Sequence, residues 1–229
     1  AAHHEVERQL AGDLEDRLAL VRDVAGQVDA INIPEIREEI RQGTRRKHIP
    51  ERIEPRAFSQ AIEKSTGVET VVNRITVHET REEQQRWLRE SYESYGIRNL
   101  ILVGGDTHEL QYPGPNVLDA AGLVAQEQFP YLLGGIAIPS RADEVGRVRK
   151  KLQAGLRFFT TQVLLDSSEV IRLIHSLAGM HVRIVLSFTP ISHPRDLNFL
   201  GGLGVESPAD VTRQIDQAGS SGKAVEVGG

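Results

Sequence analysis

The chain has 229 residues, 39% of them hydrophobic and 26% charged, and a formal net charge of -5. That length suffices to bury one sizeable core without requiring a second domain, and the composition excludes a disordered or fibrous chain. The absence of cysteine excludes disulfides, thiolate catalysis and cysteine-ligated zinc. No apolar run approaches the roughly 20 residues that span a bilayer, and no secretory signal is visible, so the expected compartment is the cytoplasm with no membrane partner.

In chain order, a short strand is expected around His4 to Glu7. Leu10, Leu14, Leu18, Val21 and Ala25 then recur at helical spacing until Gly26 stops the helix. Val28 to Ile33 reads as a strand. After a charged loop, Arg56 to Ser65 is helical and ends at Gly67. Val71, Ile75 and Val77 mark a strand, and Thr80 with Glu83 forms a capping box opening a helix whose buried face is Leu88, Tyr92 and Tyr95. Asn99 to Val103 is a fully apolar strand leading into Gly104-Gly105-Asp106. A helix over Val117 to Gln126 and a strand over Leu132 to Ile138 follow. Ser140 and Asp143 start a helix that ends at Gly155, and Arg157 to Thr161 is the next strand. Asp166 with Glu169 caps a further helix, Val182 to Ser187 is a strand, and Gly201-Gly202-Leu203-Gly204 reads as a loop. Ser207-Pro208 opens a last helix with Val211 and Ile215 inward.

Strand and helix alternating across short turns is the mark of parallel βαβ units. An open dinucleotide-binding sheet should carry G-x-G-x-x-G after an early strand; none is present, and the barrel is favoured. In a parallel barrel, chemistry sits at the carboxyl ends of the strands. Those ends offer Glu5 or Glu7, Asn32 with Glu35, Thr76 with His78, Asp106, Pro139, Gln162 with Asp166, and Ser187 with Thr189. Asp106 stands out, because a carboxylate after a strand and two glycines allows a ligand close to the backbone. Gln162 places a donor–acceptor amide at the end of a core-like strand, which suits a heterocycle. Its alternative is a bond to neighbouring backbone. His78, His108 and His193 have no metal-ligand spacing, so no metal is expected. Arg41, Arg45, Arg46, Lys47 and Arg52 are interleaved with Glu38, Glu39 and Glu51, so neither is nucleic acid. Lys150-Lys151 reads as a solvated helix face and Trp87 as packing.

Four segments, in order and in register, resemble the methylenetetrahydrofolate reductase family: Tyr95-Gly-Ile-Arg-Asn-Leu-Ile-Leu-Val-Gly-Gly-Asp106, Lys150 to Gln162 running on to Asp166, Ile184 to Ile191, and Leu203-Gly-Val-Glu-Ser-Pro208. The resemblance covers nearly the whole chain. It implies one (β/α)8 TIM-type barrel domain over residues 1–229, lacking its last strand in the chain as given, which would then be a truncated piece or the ordered part of a longer polypeptide. It implies NAD(P)H-linked reduction of methylenetetrahydrofolate to methyltetrahydrofolate, with FAD as carrier and a reduced folate as partner; a homo-oligomer stays open. It makes Glu5 (with Glu7 as rival) the acid that opens the folate ring. Asp106 becomes a catalytic residue beside flavin and pterin, and Gln162 a pterin contact. Thr76, Gly105, Asp106, Ala121, Lys150 and Lys151 become cofactor contacts. Gly104, Ile138 and Arg147 stand where the family has arginine, tyrosine and asparagine, which implies FAD held weakly or lost. The alternatives are a flavin-independent reductase of a folate or related pterin, and a non-catalytic pterin-binding subunit.

Overall fold

The computed structural model describes residues 2–37, 53–105, 111–191, 194–202, 205, 211–213 and 215. Two compact units are present, Ala1–Gly134 with Ala154–Leu156, and Gly135–Gln153 with Arg157–Gly229.

The first unit opens with α1 (Ala2–Val24) and a 3-10 turn (Ala25–Gln27). The expected strand at His4 to Glu7 is therefore helix. Val6, Leu10, Leu14 and Leu18 carry one four-residue spacing back to the start, whereas Glu5-Val6-Glu7 holds a single apolar residue and cannot build a strand face. Next come β1 (Ala30–Ile33), α2 (Pro55–Thr66), β2 (Glu69–Ile75), α3 (Arg81–Glu93), β3 (Asn99–Val103) and α4 (Val117–Gln126). Gly67 ends α2 in the left-handed region at φ 72°, which favours glycine. Thr80 and Glu83 form the expected capping box of α3. The buried face of α3 is Gln84, Leu88 and Ser91, one residue round from the expected Leu88, Tyr92 and Tyr95; the two tyrosines are half-buried.

β4 (Leu132–Ala137) runs from the first unit into the second, which adds α5 (Glu144–Gln153), β5 (Phe158–Thr161), α6 (Ser167–Ser176), β6 (Arg183–Val185) and α7 (Pro194–Gly202). α7 was unexpected, and Gly201-Gly202 end it instead of forming a loop; Leu197 and Leu200, one turn apart, bury together with Ile191, Val205, Val211 and Ile215. Ser207 and Pro208 lie outside the described residues, but 211–213 are helical and Val211 and Ile215 are buried as expected.

The strands follow one another in the sheet in chain order, β1 to β6, without the order reversal that makes the switch point of a doubly wound sheet. The β1–β2, β2–β3 and β5–β6 pairs are parallel. This is an α/β fold of TIM-barrel type, with six strands described.

Alternation assigns the two faces of β1–β3. Ile31 and Ile33 pack with Leu18 of α1 and Ile62 of α2. Thr70 meets Ser59 of α2, and Arg74 reaches Gln84 of α3. These residues define the helix face. Asn32, Val71, Asn73, Asn99 and Ile101 therefore occupy the opposite face.

Candidate functional site

In the first unit the ends of β1 and β2 are joined by charge. Arg74, 1% exposed, cannot remain in a buried strand without anionic partners. It donates to Glu35 at 2.9 Å, to Glu79, and twice to the Gln84 amide oxygen at 3.1 and 2.9 Å. Its guanidinium lies 4.4 Å from the Trp87 ring centre. Arg37 bridges the same carboxylates, donating to Glu35 at 2.8 Å and Glu79 at 2.6 Å. The second oxygen of Glu35 accepts the Ile75 backbone N–H at 2.7 Å, so this carboxylate extends the ladder past the end of β1. Burial alone would raise the Glu79 pKa, but the Arg37 hydrogen bond and the Arg74 charge hold it below the ordinary value. Beside the network is a cavity of about 320 Å³ lined by Glu35, Arg37, Arg56, Arg74, Glu79 and Trp87. Each of its arginines is already paired, Arg56 with Glu54 and Glu90, so the arrangement clamps the two strand ends. Trp87, read from sequence as packing, supplies a ring face to Arg56 and Arg74.

After β2, Thr76 is fully buried, and its backbone N–H and hydroxyl both donate to the Val103 carbonyl, at 2.9 and 3.3 Å. The segment after β3 returns over these ends. Gly114 donates to Val77 at 2.9 Å, and the Tyr112 ring meets His78 edge-on at 5.4 Å. A Cβ on Gly105 would fall 2.4 Å from the Tyr112 ring. The close approach that Gly105 permits is thus made by a side chain of this protein. Ala121 is buried in α4. Asp106 lies outside the described residues.

In the second unit, Lys150 is exposed, whereas Lys151 turns inward. Its ammonium donates to the Ile136 carbonyl at 2.7 Å and lies 5.8 Å from the Phe159 ring centre. Burial pushes its pKa down and the Glu144 carboxylate pulls it up, with a net lowering. Glu144 itself accepts the Ile138 backbone N–H at 3.0 Å. Gln162 is half-buried directly after β5, its N–H donating to Ala137 at 3.2 Å. Ser187 continues the β5–β6 pairing through Thr161, with bonds of 2.9 and 2.6 Å. Glu5 belongs to α1 and not to a strand end. The reason is the helical spacing that continues through Val6, and its side chain lies outside the described part.

Sequence reasoning overlooked Arg74 and Asn73. The signal was present: adjacent polar residues inside an otherwise apolar strand point to opposite faces, so each face needs a partner for one of them. Among the described residues no group of three or more acidic or histidine side chains is placed to hold a metal, and no helix is long and apolar enough to cross a membrane.

No protein-family model matches the chain, and no curated protein matches its sequence. Among solved structures it is similar to a Clostridium thermocellum protein that binds two copies of 5-methyl-5,6,7,8-tetrahydrofolic acid, with TM-score 0.69 and 20% identity, covering 89% of this chain and 69% of that one. Two weaker likenesses have TM-score 0.44. One is to 2,3-dimethylmalate lyase of the PEP mutase/isocitrate lyase superfamily, at 14% identity over 74% of this chain and 67% of that one. The other is to phosphoribosylanthranilate isomerase from Thermotoga maritima, at 15% identity over 87% and 78%. At these identities the first likeness shows the fold, and the other two add nothing to it.

Proposed function

We propose that this chain binds a reduced folate on a (β/α)8 barrel, as a cytoplasmic protein, and that its activity is NAD(P)H-linked reduction of methylenetetrahydrofolate to methyltetrahydrofolate. The observation that carries the reading is the likeness, over 89% of the chain, to a protein that binds 5-methyltetrahydrofolate. It coincides with the four sequence segments that resemble the reductase family.

FAD fits the described residues poorly. Thr76 and Ala121 are buried, Lys151 is engaged by a backbone carbonyl, and Tyr112 packs against Gly105, which leaves Lys150 to meet a phosphate. With Glu5 in α1, no residue is assigned to protonate the folate ring. These observations favour a second reading, a pterin-binding protein without flavin chemistry.

The test is titration calorimetry with 5-methyltetrahydrofolate, followed by NADH oxidation with methylenetetrahydrofolate, with and without FAD. Binding plus turnover supports the reductase, and Asp106→Asn should then lower kcat/KM at least about tenfold, roughly 1.4 kcal/mol of barrier. Binding without turnover in either assay supports the second reading. Absence of folate binding overturns both.

A further inference from the structure

On the face of the sheet away from the helices, two asparagines meet across neighbouring strands. Asn32 Nδ2 donates to Asn73 Oδ1 at 2.8 Å and to the Val71 carbonyl at 3.4 Å. Asn32 is paired in register with Val71, and Asn73 with Ile101. Asn32 is exposed and Asn73 half-buried, so the pair is open to a ligand. Among the described residues, Asn32 Oδ1 and Asn73 Nδ2 have no hydrogen-bond partner. The pair therefore presents one acceptor and one donor side by side. Rotating both amides by half a turn exchanges the roles but still leaves one of each outward. Val71 and Val103, both half-buried, share that face and offer apolar surface to the edge of a flat ring, whereas Ile101 beside Asn73 is fully buried.

Asparagine is a poor strand former. Asn99, whose amide donates to the Thr70 carbonyl at 3.0 Å, has a backbone partner that accounts for it. Among the described residues, the outward groups of Asn32 and Asn73 have none.

We infer that Asn32 and Asn73 form the recognition site for the amide-like edge of a pterin, the 2-amino-4-oxopyrimidine ring whose adjacent donors and acceptors complement them. The inference rests on the folate-binding reading and adds to it the residues that select the ring. They differ from Asp106 and Gln162, to which the family resemblance assigns that contact.

Asn73→Asp isolates the claim. The carboxylate keeps the shape and still accepts the Asn32 bond, but it removes the outward donor. Affinities are measured by calorimetry for 5-methyltetrahydrofolate, for 6-methyltetrahydropterin, which lacks the anionic tail, and for N-(4-aminobenzoyl)glutamate, which is the tail alone. The expected result is that the first two bind the wild-type protein and lose at least about tenfold in Asn73→Asp, about 1.4 kcal/mol, with an unchanged melting temperature. Equal binding by wild type and variant overturns the inference and leaves the folate reading standing. If Asn73→Asp does not fold, the wild-type arms decide: binding of 6-methyltetrahydropterin without the tail supports recognition through the ring, and binding of the tail alone at full affinity overturns it. Failure of the wild type to bind any folate overturns the underlying reading, and this one with it.

Discussion

Arg74 shows how one residue sets the local design. A guanidinium at 1% exposure is tolerable only because Glu35, Glu79 and the Gln84 amide meet its donors and Trp87 covers one face. Removing one member of such a network leaves a buried charge uncompensated, a loss of about 3 to 5 kcal/mol when burial is complete. Glu79 is the member to vary, since it is the more exposed of the two carboxylates. Despite burial, Arg37 and Arg74 hold its folded pKa below the ordinary 4.5. The folded state thus binds this proton less readily than the unfolded state. The associated stability is fully present above 4.5 and disappears as pH falls through the lower, folded value. Glu79→Gln should lower the melting temperature at neutral pH, and the difference from wild type should narrow only below pH 4.5. A gap that stays constant into strong acid would remove the carboxylate charge from the explanation.

At the scale of elements, local chemistry states its own boundaries. The Thr80 hydroxyl accepts the Glu83 N–H at 3.3 Å, and the Glu83 carboxylate accepts the Thr80 N–H at 2.9 Å. Both bonds satisfy donors that the first turn of α3 leaves without helical partners. Thr80→Ala should cost about 1 kcal/mol and lower the melting temperature by roughly 2 to 4 °C, with helix content unchanged by circular dichroism. A loss within error would mean that Glu83 alone caps the helix. Asp166 caps α6 as expected, but its carboxylate accepts the Ser168 N–H at 2.8 Å and the Ser168 hydroxyl at 2.8 Å in place of the expected pairing with Glu169.

For the whole molecule, the net charge of -5 opposes an anionic ligand. Lys150 is exposed, but Lys151 is bound to the Ile136 carbonyl. Any FAD affinity that relies on these lysines is then a screened surface interaction. It should fall several-fold between roughly 0.05 and 0.5 M salt, while affinity for uncharged 6-methyltetrahydropterin stays level; fluorescence titration at both ionic strengths checks this. Salt-insensitive, stoichiometric FAD would show that a built diphosphate site exists.

By itself the sequence determined the parallel α/β class, the places of β1 to β6 and the caps of α3 and α6. Each follows from short-range periodicity or from a hydrogen bond spanning three residues. It misplaced Glu5, because a single apolar residue between two glutamates imitates strand alternation while the helical spacing extends over more than four turns. It also missed α7, whose terminal glycines read as a loop. Only the tertiary structure decided that Lys151 turns inward, that Tyr112 fills the space beside Gly105, and that Asn32 meets Asn73 from 41 positions away. Those outcomes depend on strand register and side-chain direction between segments far apart in the chain, which no local pattern of residues encodes.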